Sequence, residues 1–291
     1  MSDYSIWILE FACVPDAATS SLIFGRHNVG VEKLPYAYTL LKSREHTILL
    51  DCGLNAASHG LEFVERYNVS NWASPRDVLA EVGVTPEEID YVILSHAHFD
   101  HMGGLELFPN AKFMIQSSEL AGWVEVMAMD RKFRWLMGAT DPGDIIYAVQ
   151  LAREGRMIGI DGDQDNVLPG IDVRLVRDSH TVGSQYIIIR NDGQAASDDR
   201  YVYTGDLIYR FENFHGGDPS DPKILPNGLS FGNYTTIIFA TDRILKEVAG
   251  DMKRVLIPHE GAMAEVYPSR TTGRGHYIVE VALAEGEATR I

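Results

Sequence analysis

The stretch Ser95-His96-Ala97-His98-Phe99-Asp100-His101-Met102-Gly103-Gly104 places three histidines and an aspartate within six positions. It follows Tyr91-Val92-Ile93-Leu94, a continuous apolar run of the kind expected for a strand buried on both faces. His96 and His98 are two apart, so on extended backbone they project to the same side. Asp100 and His101 come after the chain begins to turn, so they reach a second, neighbouring location. The Gly-Gly pair permits a tight turn and a close backbone approach to whatever the cluster holds. Neutral imidazole and carboxylate are ligands for Zn²⁺ and similar divalent ions. Four such groups in an apolar site call for a cation to compensate them. His-x-His alone is a weak signal. With the following Asp-His, between a buried strand and Gly-Gly, it outweighs a solvated histidine-rich turn.

Working outward, residues 4–12 read as a strand, and 36–43 with 46–51 as a hairpin closed by Ser43-Arg44-Glu45. Ser74-Pro75 pairs an N-cap with an N1 proline and opens a helix to about Val82. Thr85-Pro86-Glu87-Glu88 repeats that signal for one turn. Residues 117–154 read as helical and rich in Trp, Met and Phe, broken at Asp141-Pro142-Gly143. Trp123, Met127, Met129, Phe133, Trp135 and Met137 in that insert read mostly as core. Strands are expected at 172–177, 185–190, 200–204 and 253–257, and helices at 234–249 and 275–285. Residues 17–35 read as an apolar loop, and 207–233 as a long Gly-, Pro- and aromatic-rich loop, a length that is usually functional. There is no repeat and no glycine-rich phosphate loop. The chain therefore reads as one α/β layered domain over 1–291, of a type other than dinucleotide-binding, with a pocket-forming helical insert at about 117–154.

The histidine–aspartate segment resembles the signature of the metallo-β-lactamase superfamily, and the resemblance extends over residues 4–260. Leu49-Leu50-Asp51-Cys52-Gly53 looks like its first motif, His180 in Asp178-Ser179-His180-Thr181 its third-motif histidine, Asp206 in Tyr203-Thr204-Gly205-Asp206 its bridging aspartate, and His259 in Leu256-Ile257-Pro258-His259 its last ligand. The resemblance implies a four-layer αβ/βα sandwich with a dinuclear metal site at the sheet edge. One metal would take His96, His98 and His180, and the other Asp100, His101 and His259, with Asp206 bridging. Asp51 would orient a ligand imidazole. The implied reaction is hydrolysis of an ester-like or lactone-like carbonyl by a hydroxide held between ions about 3.5–4 Å apart. Asp100 or Asp206 would pass the proton to the leaving oxygen. Zn²⁺ suits the ligands best, and Fe²⁺, Mn²⁺ or Co²⁺ also fit.

Within the superfamily the chain looks most like the N-acyl-homoserine-lactone lactonases and pyridoxolactone hydrolases. Tyr209, three residues after Asp206, matches a lactonase tyrosine that holds the substrate carbonyl, and Leu107-Phe108-Pro109-Asn110-Ala111 after Gly-Gly also fits this group. Asp178-Ser179-His180-Thr181-Val182-Gly183-Ser184 departs from the lactonase Pro-Gly-His-Thr-Pro-Gly-His, which counts against acyl-homoserine lactone itself and leaves the metal site intact. The alternative is another hydrolase of the superfamily, an aryl ester or ether hydrolase or a glyoxalase II-like thioesterase. The latter carries a C-terminal helical domain that the residues after His259 do not supply. Flavodiiron proteins typically replace the second histidine with glutamate, against His98, and a non-catalytic relative usually loses ligands.

The 291 residues carry 25 basic and 41 acidic side chains, a formal charge of −16. That balance argues against a nucleic-acid partner and against an anionic membrane surface. A small-molecule substrate is the expected partner. Cys13 and Cys52 are the two cysteines, so no disulfide framework is expected. The N-terminus lacks the features of a secretory signal, and the expected location is the cytoplasm. A homodimer is implied by the resemblance. His27, His46, His59 and His276 have no ligand context, and His215, in the aromatic loop, reads as a solvated loop histidine.

Overall fold

Alternation along the first strand sets up the layers. Ile6 and Ile8 point into one core, while Trp7, Leu9 and Phe11 point into another on the opposite face. In this computed structural model, residues 4–57, 60–192, 194 and 197–291 are described, and His59 lies outside them. The strands in the first half are β1 (Ser5–Ala18), β2 (Val31–Lys42), β3 (Thr47–Leu50), β4 (Tyr91–Ile93), β5 (Lys112–Gln116) and β6 (Met157–Ile160). Those in the second half are β7 (Gln164–Leu168), β8 (Ile171–Arg177), β9 (Gly183–Arg190), β10 (Arg200–Tyr203), β11 (Val255–Leu256), β12 (Ser269–Thr271) and β13 (Tyr277–Ala282).

They form two sheets, one in the order β12-β13-β1-β2-β3-β4-β5-β6 and one in the order β11-β10-β9-β8-β7. Between the sheets lies a core of Ile6, Ile8, Leu50 and Ile93 against Ile187, Ile189, Tyr203 and Leu256. The outer face of the first sheet packs Leu9, Leu49 and Val92 against helical residues such as Val78, Leu79 and Leu151. The outer face of the second packs Ile188 and Val202 against Ala240 and Ile244 of helix Tyr234–Glu247. Helices, sheet, sheet and helix therefore make four layers around three apolar seams, the αβ/βα sandwich that the resemblance implied.

Several elements form where the residues predict them. Ser74 accepts from Asp77 N at 3.2 Å to cap helix Pro75–Ala80. Thr85 and Glu88 form a capping box. The insert folds as helix Ser117–Ala128, a 3₁₀ stretch Arg131–Met137 and helix Pro142–Arg153, the last capped by Asp141. Within it Trp123 and Met137 are buried, whereas Met129, Phe133 and Trp135 are exposed, Trp135 by 75%. The core reading fails for those three because the insert packs inward through one side only.

The expected helix at 275–285 is instead strand β13, paired antiparallel with both β1 and β12. Tyr277-Ile278-Val279-Glu280-Val281 is rich in β-branched residues, and Ile278 and Val279 enter opposite cores, which only an extended chain allows. The expected loop at 17–35 shrinks, because β1 continues to Ala18, a helical turn spans Thr19–Leu22, and β2 begins at Val31. The 207–233 loop holds a 3₁₀ turn at Phe211–Phe214.

Candidate metal centre

Every predicted ligand follows the C-terminal end of a strand. β3 and β4 run parallel and deliver Asp51 and the His96–His101 segment, while β10 and β11 run parallel and deliver Asp206 and His259. β8, antiparallel to β9 as β10 is, brings His180 to the same end. The first sheet thus contributes four predicted ligands and the second three. All seven are buried.

The side chains sort into two donor sets, His96, His98, His180 and Asp206 in one and Asp100, His101 and His259 in the other, the donor atoms in each lying within 4.8 Å of one another. In the first, His180 Nε2 lies 3.0 Å from His98 Nδ1 and 3.2 Å from Asp206 Oδ2, and His96 Nε2 lies 3.8 Å from that oxygen. In the second, His101 Nε2 and His259 Nε2 are 3.2 Å apart, and each is 3.0 Å from Asp206 Oδ1. Asp100 Oδ2 stands 3.5 and 3.6 Å from the same two nitrogens. Asp206 thus turns one oxygen to each set, the geometry of a bridging carboxylate.

Whether these residues fit cations is decided by their chemistry. Metal–nitrogen bonds of about 2.0–2.1 Å in tetrahedral array separate neighbouring donors by about 3.3 Å, close to the spacings here. His259 Nδ1 faces the Pro35 carbonyl at 2.7 Å, His101 Nδ1 faces Asp51 Oδ2 at 2.6 Å, and His96 Nδ1 lies 3.0 Å from Ser95 Oγ. Outward partners of this kind leave the inward nitrogens free to ligate. His96 Nε2 is buried without a hydrogen-bond partner. Burial, reinforced by neighbouring imidazoles, holds His96 and His98 well below the ordinary histidine range, hence neutral and ligand-competent. Burial also opposes charge on His101, but Asp206, Asp100 and Asp51 outweigh it and push this imidazole well above the ordinary histidine range. The same carboxylates would favour a divalent ion among these donors. The donor set fits two cations.

Asp51 occupies the role expected of it. Its Oδ2 accepts from Ser95 Oγ at 2.7 Å and Tyr203 OH at 2.7 Å beside His101, and its Oδ1 accepts from Ser95 N at 2.6 Å. Its φ of +61° is a conformation that Asp tolerates better than most residues. Cys52 is buried and bonds His101 O through its backbone N–H, a structural role as read. The close approach at Gly104 differs from the one expected. A Cβ there would sit 2.0 Å from Cys52 O, so the glycine serves backbone packing between two motifs rather than approach to a ligand.

Above the donors opens a cavity of about 380 Å³, with His98, Asp100, His180, Asp206 and His259 at its floor. Tyr209 lines it, stacks on His259 at 5.0 Å and 11°, and donates a short hydrogen bond to Asp206 Oδ2. Burial first, then Asp206, raises its phenol well above the ordinary range, so it stays a donor. His215 is not among the lining residues, and His276 is buried with Nε2 2.7 Å from Asn71 O.

Residues outside the motifs complete the site. Tyr36 packs edge-on against His259 at 5.2 Å and lines the cavity beside Tyr67 and Phe231. Arg210 holds His259 O with Nη1 and Lys33 O with Nη2. Buried Glu119 accepts from Ala97 N, Trp123 Nε1, Thr181 Oγ1 and Gly183 N, tying the His98 loop to the His180 loop. Only Arg210 carried a local signal, a basic residue directly after Tyr209 and near Asp206.

Comparison with known proteins agrees with this geometry. The family described as the metallo-beta-lactamase superfamily matches residues 32–243. The chain belongs to that superfamily. It is a lactonase-like, metal-dependent hydrolase. An N-acyl homoserine lactonase of Bacillus cereus is 28% identical over 195 residues, 64% of this chain and 69% of the relative. A mutant of Bacillus thuringiensis AiiA with N-decanoyl-L-homoserine bound at the active site superposes with a TM-score of 0.65 at 21% identity, covering 91% of this chain and 96% of that one. AidC, a dizinc quorum-quenching lactonase in complex with a product, superposes at 0.61 and 18% identity, covering 98% and 97%. No helix among the described residues is long and apolar enough to cross a membrane.

Proposed function

We propose that this superfamily member opens the ester bond of a small-molecule lactone, releasing the hydroxy acid. The observation that carries the reading is the pair of donor sets sharing Asp206 beneath a cavity of about 380 Å³, taken with the lactonases among the relatives. His96, His98 and His180 would hold one divalent ion, and Asp100, His101 and His259 the other, with Asp206 between. Zn²⁺ is the proposed metal. When bound, such a pair supplies Lewis acidity and a water acidic enough to be nucleophilic near neutral pH.

The chain's own groups do the rest. The Tyr209 phenol, which donates to Asp206 in the free site, would turn its one O–H to the substrate carbonyl, where a donor favours the developing oxyanion. Both aspartates line the cavity, but Asp206 sets each of its oxygens against histidines at 3.0–3.2 Å, whereas Asp100 approaches His101 and His259 through Oδ2 alone, at 3.5 and 3.6 Å. Asp100 is therefore the carboxylate proposed to carry the proton to the leaving alkoxide. Addition of water across the acyl C–O bond then balances as one carboxylate, one hydroxyl and one proton released to solvent. Cytoplasmic location, a homodimeric state and action as a single domain are parts of the same proposal. The buried free thiols of Cys13 and Cys52 are in keeping with a reducing compartment.

The test is a panel of lactones, aryl esters and thioesters offered to metal-replete protein. Lactone opening that is lost in Asp206→Asn supports the reading. Turnover of thioesters or aryl esters without lactones would replace it with the alternative hydrolase activity.

A further inference from the structure

Beside the site cavity lies a second one of about 150 Å³, lined by Trp123, Val126, Leu136 and Val182 among others. Among the described residues, Phe231 alone borders both. Its ring stands edge-on to His98 at 5.8 Å and to Trp135 at 5.2 Å. The backbone beneath it is anchored. Phe231 N bonds His180 O at 3.2 Å, Gly232 N bonds Ser179 O at 2.9 Å, and Asn233 N bonds Asp178 O at 2.9 Å. A Cβ at Gly232 would meet Ser179 O at 2.4 Å, so this strip of chain is pressed flat against the His180 loop.

We propose that Phe231 is the partition that limits how long an apolar substituent the site accepts, and that the cavity behind it is an annex for an alkyl or acyl tail. The proposal rests on the lactone reading above, and its substrate class is a lactone or ester bearing an unbranched apolar tail. Removing the ring joins the annex to the site, and its Trp, Val and Leu walls offer a tail a place out of water.

The experiment measures kcat/KM for the parent and for Phe231→Ala on one lactone carrying tails of increasing length, with metal content checked in each. The long-tail to short-tail ratio is expected to rise by roughly ten-fold, the worth of about two newly buried methylene groups. Phe231→Leu, a milder change, is expected to shift the ratio in the same direction by less. As a readout independent of turnover, a dodecanoate titration should perturb tryptophan emission in Phe231→Ala and not in the parent, and the signal should vanish when Trp123→Phe is added. A parent that opens the lactones, combined with an unchanged ratio in both variants, overturns the partition. A parent that opens none overturns the lactone reading, and the dodecanoate titration then decides the annex by itself, a silent Phe231→Ala refuting it.

Discussion

Asp51 illustrates how much of this centre depends on side chains that hold no cation. It orients His101 while accepting from Ser95 and Tyr203, so one carboxylate positions a ligand and two strands. Asparagine keeps its shape and tolerates the left-handed backbone, but it cannot offer an anionic oxygen to His101 Nδ1. Asp51→Asn is therefore expected to lower metal affinity about 10- to 100-fold while the fold survives, as read by chelator competition and circular dichroism. Tyr209→Phe tests a different contribution. Loss of the phenol is expected to lower kcat by about 100-fold with KM and metal content little changed. Equal losses in kcat and in metal occupancy would instead make Tyr209 a support for Asp206. The proposed ligand residues were readable because the 96–101 string is local and the other three fall in family motifs at strand ends. Tyr36 and Phe231 were not, since an aromatic residue facing a cavity looks locally like one facing a core.

Helix Ser117–Ala128 shows why single elements matter to the site without supplying a ligand. Its Glu119 is fully buried, and all four of its accepted bonds come from loops and side chains around His98 and His180. Glu119→Ala would strand several buried donors at once. It is expected to cost about 3 kcal/mol or more, measured as a fall in urea midpoint, whereas Glu119→Gln should recover part of the loss. The insert was legible as a helical stretch broken at Asp141-Pro142-Gly143, and the structure shows that break to be the cap of its last helix. Strand β13 was not, because its pattern is ambiguous until β1 and β12 flank it and bury both faces.

Across the whole sandwich, donors from one sheet meet donors from the other, so cations bound there would clamp the two halves. Stripping metal with a chelator is expected to lower the melting temperature reversibly. The stabilisation lost is on the order of 4 kcal/mol when free metal stands at a thousand times its Kd. A melting temperature indifferent to metal would contradict a site shared between sheets. Acid stability has a separate source in the second sheet. Burial tends to raise the Asp172 carboxyl, but Arg190, bonding both its oxygens at 3.0 and 2.9 Å, outweighs this and holds it below the usual range. A carboxyl depressed on folding contributes stability that is complete above its unfolded value of about 4 and fades as pH falls through the folded value. Asp172→Asn should therefore be less stable than the parent at neutral pH, and the gap should narrow as pH drops toward 3. A gap that stays constant with pH would show that the pair acts through shape alone.

Residue chemistry at a strand end marked the histidine–aspartate cluster at 96–101, the family resemblance added His180, Asp206 and His259 as proposed partners, and the apolar runs showed strands layered with helices. Those features are local, written in runs of apolar residues and in the groups that end them. Tertiary structure decided the rest: that Asp206 spans two donor sets, that Gly104 packs on Cys52, that 277–282 is a strand, and that Phe231 divides two cavities. Each of these depends on contacts between segments far apart in the chain, where the energy of burial and the geometry of approach overrule what neighbouring residues prefer.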